Sequence, residues 1–267
     1  MADLYQAALE CLNCVDPAQK VARTHAAAAA WRSGQLRIPR AVDTGTPEVI
    51  PRPGRPARPR LVAPREVARR GLGSAAGRAA LVHAVAHIEL NAIDLAWDAV
   101  YRFRDFPDAY VHDWVAVADD EARHYGLLAA RLAELGHAYG DFDAHNGLWE
   151  MALRTAGDPL RRMALVPRVL EARGLDVTPG MIARLRAVGD ESTAAILELI
   201  LREEVAHVAA GSRWFGWCCA RQGLDPAPTF RALLAEVSPG LLRGPLNRGA
   251  RLEAGFSPAE LEAFDPA

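Results

Sequence analysis

The sequence predicts an all-α protein built on four long helices, with a long crossover between the second and the third. Three observations predict it. Ala, Leu and Arg dominate the 267 residues while β-branched residues are sparse, a composition that favours helix. From residue 66 onward, apolar residues recur at helical spacing. The long runs are bounded by Pro at their starts and Gly at their ends.

Residues 2–14 and 16–33 read as two short helices, with Asp16 and Pro17 as cap and first-turn residue of the second. Residues 34–65 change character. The stretch "RIPRAVDTGTPEVIPRPGRPARPR" is rich in Pro and Arg and supports no regular element. An extended strap over the surface is expected rather than a basic arm for RNA, because Asp43 and Glu48 interrupt the charge. The first long helix covers about 75–103. Pro107 starts the second, which runs to about Leu135 before Gly136. A shorter helical piece lies near 145–156. Asp158 and Pro159 start the third long helix, which is expected to break at "RGLDVTPG", restart at Thr178 and Pro179, and end near Val188. Asp190 caps the fourth, which runs to about Arg221 before Gly223. The tail holds a short helix near 228–236, then "GPLNRGARLEAGF", then another helix near 257–264. The expected organisation is N-terminal helices and strap over 1–69, the four-helix core over 70–222, and a C-terminal extension over 223–267. Solenoid-length repeats are absent.

Composition narrows the function classes. Apolar residues make up 51% and charged residues 24%, as in an ordinary soluble domain with a core of useful size. A net charge of −2 argues for neither a nucleic-acid nor a membrane partner. No apolar run approaches the length of a membrane span, and "MADLYQAALECLNCVD" lacks the basic start and apolar stretch of a secretory signal, so the cytoplasm is expected. Four cysteines in this length make no disulfide framework. Cys11 and Cys14 form C-x-x-C on an apparent helix, and packing is the preferred reading over redox chemistry. Cys218 and Cys219 read as core filler.

The chemistry is expected at a repeated motif. Glu121 and His124 form Glu-x-x-His on the second long helix, and Glu204 and His207 form it again on the fourth. Residues three apart share a helix face, so each pair can reach one point. The other two long helices each place one carboxylate on an apolar face. Glu89 has Val82, Val85, Ala86, Ala92, Ile93 and Ala96 as helical neighbours, and Glu171 follows Leu160, Met163, Ala164 and Pro167. The levels match by counting. About 15 residues separate Glu89 from the turn near Arg104, and 14 separate Pro107 from Glu121. About 17 separate Glu171 from Val188, and 14 separate Asp190 from Glu204. Four carboxylates in an apolar core cannot all ionise without a cation. Two divalent ions would balance them with both imidazoles neutral, and this donor set suits iron or manganese. One Glu from each of two helices plus Glu-x-x-His from each of the others is the ligand pattern of a dinuclear carboxylate bundle. Asp120 and Glu203 precede the motif glutamates. Glu203 is expected to orient His124, and Asp120 to orient His207, the alternative being plain solvated charges. Asp119 and Arg123 are left to solvent. His83 and His87 turn away from the Glu89 face and read as core or surface residues. His137 and His145 carry no pattern. Trp97, Trp114, Trp214, Phe215 and Trp217 read as packing, and Tyr125 adjoins His124 as a candidate radical carrier.

At these residues the chain resembles the ferritin-like superfamily over roughly 70–221. The stretches "HAVAHIELNAIDLAWD", "DEARHYGLL", "LEARGLDVTPG" and "EEVAHVAAG" look more specifically like a bacterial ferritin-like family labelled as a domain of unknown function, a likeness that extends into "GPLNRGARLEAGF". That family is related to the bacterial tRNA hydroxylase acting on 2-methylthio-isopentenyl-adenosine. The resemblance implies a ferritin-like four-helix bundle with a di-iron centre, and all six ligand positions match. The expectation is an O2-dependent oxidoreductase of the hydroxylase or monooxygenase kind holding two Fe (or Mn). Dioxygen, an unknown organic substrate such as a modified tRNA nucleoside, and an electron-donor protein are its expected partners, with no membrane. Ferroxidase or iron-handling chemistry and a non-catalytic metal-binding scaffold are the alternatives. The expected break after Glu171 would open the bundle. Asn247, Arg248 and Arg251 would lie over that opening as anion contacts, or would cap the bundle through salt bridges.

Overall fold

The structure, a computed structural model, describes residues 2–39, 46–68, 70–236 and 245–264. It is all-α. The paired strands among the described residues are β1 (Ala2–Asp3) and β2 (Leu36–Arg37), two residues each and parallel. The chain forms two compact units, Met1–Glu150 and Met151–Ala267.

In the first unit, α1 (Leu4–Asn13) and α2 (Pro17–Arg32) pack on the long pair α3 (Ala75–Arg102) and α4 (Asp108–Glu134). Short polar side chains start these helices by accepting orphan N–H groups: Asp3 from Tyr5, Asp16 from Gln19, and Ser74 from Gly77. Pro17 fills the first helical position, where its missing N–H costs nothing. The core is Val82, Leu90, Ile93 and Trp97 of α3 with Trp114, Ala118 and Leu128 of α4. Asp119, expected at solvent, instead binds α2 to α4. His25 and Arg32 reach it at 2.6 and 2.7 Å.

By length and composition α3 is long and apolar enough to cross a membrane, which corrects the expectation that no apolar run comes near it. Yet 72% of its most apolar window is buried inside the protein, and the helix carries buried Glu89, Asn91, Asp94 and Asp98. That is the pattern of a core helix.

The strap lies along this unit, and its Asp43 falls outside the described residues. Ile50 is buried, the Trp149 indole N–H donates to the Pro51 carbonyl, and the Gly54 amide donates to Leu12 at 2.7 Å. A Cβ at Gly54 would meet the Asn13 carbonyl oxygen at 2.3 Å, so only glycine lets the strap come this close.

The helix α5 (Gly147–Arg154) carries the chain to the second unit. There α6 (Pro159–Leu165) passes into a π-helical segment, Val166–Glu171, and then into α7 (Ala172–Ala187). The expected break at "RGLDVTPG" is not there. α7 runs unbroken through Pro179, and the irregularity lies upstream, around Pro167. Pro179 cannot donate to the carbonyl of Leu175, and the side-chain amide of Asn247 donates to that carbonyl instead, at 3.2 Å. With that acceptor satisfied, the helix can continue.

Asp190 caps α8 (Glu191–Gln222) through Thr193, and Gly223 ends it in the left-handed conformation at φ 66°. A Cβ at Gly211 of α8 would stand 2.4 Å from the Pro167 ring, so a glycine there admits the π segment. The tail follows as α9 (Pro226–Ala235), α10 (Arg248–Glu253) and α11 (Pro258–Leu261), ending in a 3-10 turn at Glu262–Phe264. α10 forms inside "GPLNRGARLEAGF", to which no helix was assigned, started by the side chain of Asn247; Gly244 lies outside the described residues. Cys11, Cys218 and Cys219 are buried free thiols, and Trp97, Trp114, Trp214 and Phe215 are core residues, as expected.

Candidate metal centre

The pair α3 and α4 assembles one half of the expected donor set. Glu89 sits on the inner face of α3. Glu121 and His124, one turn apart on α4, face it. All three are buried, at 4%, 1% and 0% exposure. His124 Nδ1 lies 3.2 Å from Glu89 Oε2 and 3.5 Å from Glu121 Oε2. One ligand atom from each of the three lies within 4.8 Å of the others. Metal–ligand bonds of about 2.1 Å put two ligands of one ion at most about 4.2 Å apart, so the trio is near that spacing before any ion draws it in. This buried Glu/Glu/His group could hold a metal ion, and its donors alone do not identify which one.

The electrostatics describe a group in want of a cation. Burial, and then the charge of Glu121, hold the Glu89 carboxyl well above the usual carboxylate range. Burial works against a charge on His124, but its hydrogen bonds to Glu121 and Glu89 outweigh it and hold the imidazolium. Protonated His124 thus stands among the carboxylates where a metal ion could carry the positive charge. Metal ligands must shed such protons, so the set fits a divalent cation.

The second unit carries the other three expected ligands, of which the structure pairs Glu204 and His207. On α8, His207 is 2% exposed and its Nδ1 lies 3.3 Å from Glu204 Oε1, the Glu204 side chain being 13% exposed. Glu171, partly buried, is the last residue of the π segment. Its backbone setting differs from that of the other five expected ligands, which all stand on regular α-helix.

The other expected site residues divide. Asp120 pairs with Arg123 at 2.9 Å, with its side chain 42% exposed. Glu203 is partly exposed on α8. Arg251 is 1% exposed, and its guanidinium is engaged by Asp176 at 2.7 and 3.0 Å and by the Arg168 carbonyl at 3.3 Å. Asn247 caps α10 and serves the Leu175 carbonyl, as above. Both therefore fasten the tail to α7, the salt-bridge and capping role that stood beside the anion-contact reading. Arg248 is exposed at the start of α10.

Two features went unread in the sequence. His83, His87, Asn91, Asp94 and Asp98 form a buried polar stripe on α3, legible in principle from their spacing of four, four, three and four. His83 and His87 are core residues here. The Gly140 amide donates to His83 at 2.9 Å, and His87 contacts the Tyr139 hydroxyl at 2.8 Å and the His145 carbonyl at 2.9 Å. Lys20 from α2 and Arg55 from the strap meet Asp94 on the same stripe. The second unread feature is Arg168, a fully buried guanidinium inside the π segment.

Comparison with known proteins bears on most of the chain. The family described as "Protein of unknown function (DUF455)" matches residues 13–262. An uncharacterised protein of Haemophilus influenzae is 44% identical over 226 residues, spanning 81% of this chain and 78% of that protein. No solved structure matches.

Proposed function

Since the chain belongs to the DUF455 family, whose description assigns no activity, we propose its function from the donor set itself. It is a carboxylate-bridged di-iron protein, with manganese as the alternative metal, on a ferritin-like four-helix bundle formed by α3, α4, the α6–α7 helix and α8. It acts as an O2-dependent oxidoreductase of the hydroxylase or monooxygenase class on an organic substrate. The observation that carries this reading is the buried triad Glu89, Glu121 and His124, whose composition recurs as Glu171, Glu204 and His207 on the other helix pair. In this reading the two triads close on one centre, with two metal ions balancing four carboxylates.

Two iron ions so held would supply the redox chemistry for a substrate C–H bond to become C–OH while the second oxygen atom of O2 leaves as water, consuming two electrons and two protons. The chain's own residues supply the rest. Glu89 and Glu121 hold negative charge where burial makes it costly without a cation. His124 and His207 each offer one imidazole nitrogen. The apolar neighbours Val82, Ile93 and Ala118 exclude water from the first triad. Dioxygen and an electron donor are what this chemistry requires, and the cytoplasm is the setting proposed for it. A modified tRNA nucleoside is the candidate substrate suggested by the sequence resemblance. An enzyme is favoured over an iron store because α1, α2 and the strap cover the α3–α4 pair, a face that a bare cage-forming bundle would leave open.

Metal analysis of the purified chain should give about two Fe or Mn per chain, and Glu121→Ala combined with Glu204→Ala should abolish it. A wild-type chain that binds neither metal would sink the reading. Rapid iron oxidation turnover with no organic substrate would move the assignment to a ferroxidase. Retention of tRNA that weakens steeply with salt would support the nucleoside substrate.

A further inference from the structure

We propose that the C-terminal segment 247–260 is a clamp on the π-helical segment Val166–Glu171, with Arg168 and Arg251 as positioning residues that hold Glu171 toward the metal. The inference rests on the reading that Glu171 is a ligand.

A π turn is an uncommon way to run a helix, and single π turns concentrate at functional sites. This one is marked by the bond from the Ala172 amide back to the Pro167 carbonyl, five residues earlier. Its position is fixed from outside the helix, at points before and after Glu171. Before it, Pro167 seats against Gly211 of α8. The Arg168 guanidinium lies 4.7, 4.3 and 4.2 Å from the ring centres of Phe215, Phe230 and Phe256. It is joined to Glu260 at 2.8 Å and donates to the Ser212 hydroxyl at 3.1 Å. A cation so far from water is tolerable only because rings and a carboxylate surround it.

After Glu171, the tail grips α7. Arg251 is bidentate to Asp176, and Asn247 donates its backbone N–H to Asp176 at 2.9 Å and its amide to Leu175 at 3.2 Å. A third link joins the two grips, since Arg251 also donates to the Arg168 carbonyl. Glu171 is thus spanned by anchors at 167–168 and at 175–176, and the tail supplies a partner to each.

The geometry gives these anchors a consequence for the ligand. A π turn holds one more residue than the α turn it replaces. If the segment relaxed to α-helix, Glu171 would turn by about 100° relative to the residues before it, one residue's step on an α-helix. The carboxylate would then face away from its present direction. The tail therefore selects which way Glu171 points, although none of its residues need touch the metal.

The test is titration of the full-length chain with Fe(II) or Mn(II) alone, read as ions bound per chain and as apparent Kd. Three variants are compared with wild type: Glu171→Gln, Glu260→Gln and Arg251→Met, each checked for helix content. Glu260→Gln is expected to stay folded and to weaken one of the two ions by about tenfold or more, the usual cost of losing a group that orients a ligand. Glu171→Gln should weaken the same ion, and the double variant Glu171→Gln with Glu260→Gln should weaken it no further. That non-additivity is what a purely structural role for the tail would not produce. Folded Glu260→Gln that binds both ions with wild-type affinity overturns the clamp, as do additive losses in the double variant. If Arg251→Met does not fold, Glu260→Gln alone decides. If Glu171→Gln itself binds both ions as wild type does, it is the ligand reading that falls.

Discussion

Four histidines are buried among the described residues, and burial alone does not decide what each one does. His124 keeps a proton because two carboxylates lie against it. His83 and His87 lack such partners. Burial drives both down from the usual value near 6.5 to about 4, and so keeps them neutral. For a base whose folded pKa is depressed, the unfolded chain takes up the proton first. The stability tied to His83 is therefore fully present above pH 6.5 and is lost as pH falls from 6.5 through 4. Thermal melts between pH 7 and 4 should show this loss, and His83→Gln, which keeps an acceptor for the Gly140 amide, should flatten it. An unchanged slope in the variant would contradict this account. At this scale a buried Glu and His group was legible in the sequence. Glu89, Glu121 and His124 were identified because apolar helical neighbours surround charged residues, and the structure buries all three. The partners of Asp119, Asn247 and Arg251 were not legible. Each bonds to residues 71 or more positions away, and no local pattern encodes such pairings.

At the level of elements, helix starts and stops were readable wherever the signal is local. Asp16, Asp158 and Asp190 cap as their positions suggest, and Gly223 ends α8. Pro179 misled because a proline's effect depends on who takes the carbonyl it abandons. Here the taker is Asn247, and α7 continues. Pro167 had the larger consequence, and its position is tied to a glycine on another helix. This contrast can be measured on α8. Gly211→Ala pushes a methyl group to within 2.4 Å of the Pro167 ring, whereas a methyl at Gly216 meets nothing within 4 Å. Removing glycine from a helix interior gains up to about 1 kcal/mol, while overpacking costs about 1–3 kcal/mol. Gly216→Ala should therefore raise the denaturation midpoint and Gly211→Ala should lower it. Shifts of the same sign would show that the π segment yields freely.

Over the whole molecule, the class of fold was legible from composition and periodicity, but the way the N-terminal region is secured was not. The strap was expected to run over the surface. Arg55 instead reaches the buried stripe of α3, where it and Lys20 meet Asp94, and where Asn91 also receives it. Two buried cations thus depend on one aspartate. Removing one member of a buried ion group costs about 3–5 kcal/mol, because the remaining charges stay desolvated. Asp94→Ala should lose that much in urea unfolding, whereas Asp143→Ala, whose partner Arg60 is exposed, should lose far less, since water screens the pair. Comparable losses at the two positions would mean that the stripe is not what secures α2 and the strap.

The fastening of α7 from the tail also has a meaning in time. A ribosome delivers a chain from its N-terminus, and compact units generally fold as they emerge. α3 and α4 pack on each other and on α1 and α2, all of which are made before residue 151, so the first triad can form while the rest is still being made. α7 must wait for Asn247, Arg251 and Glu260, which are synthesised after α8 is finished. During that interval a nascent chain can present Glu89, Glu121 and His124 to the metals of its surroundings before Glu171 has a fixed direction. If the centre is the one proposed, its first half would then be open to capture by whichever divalent ion arrives first, until the tail is made.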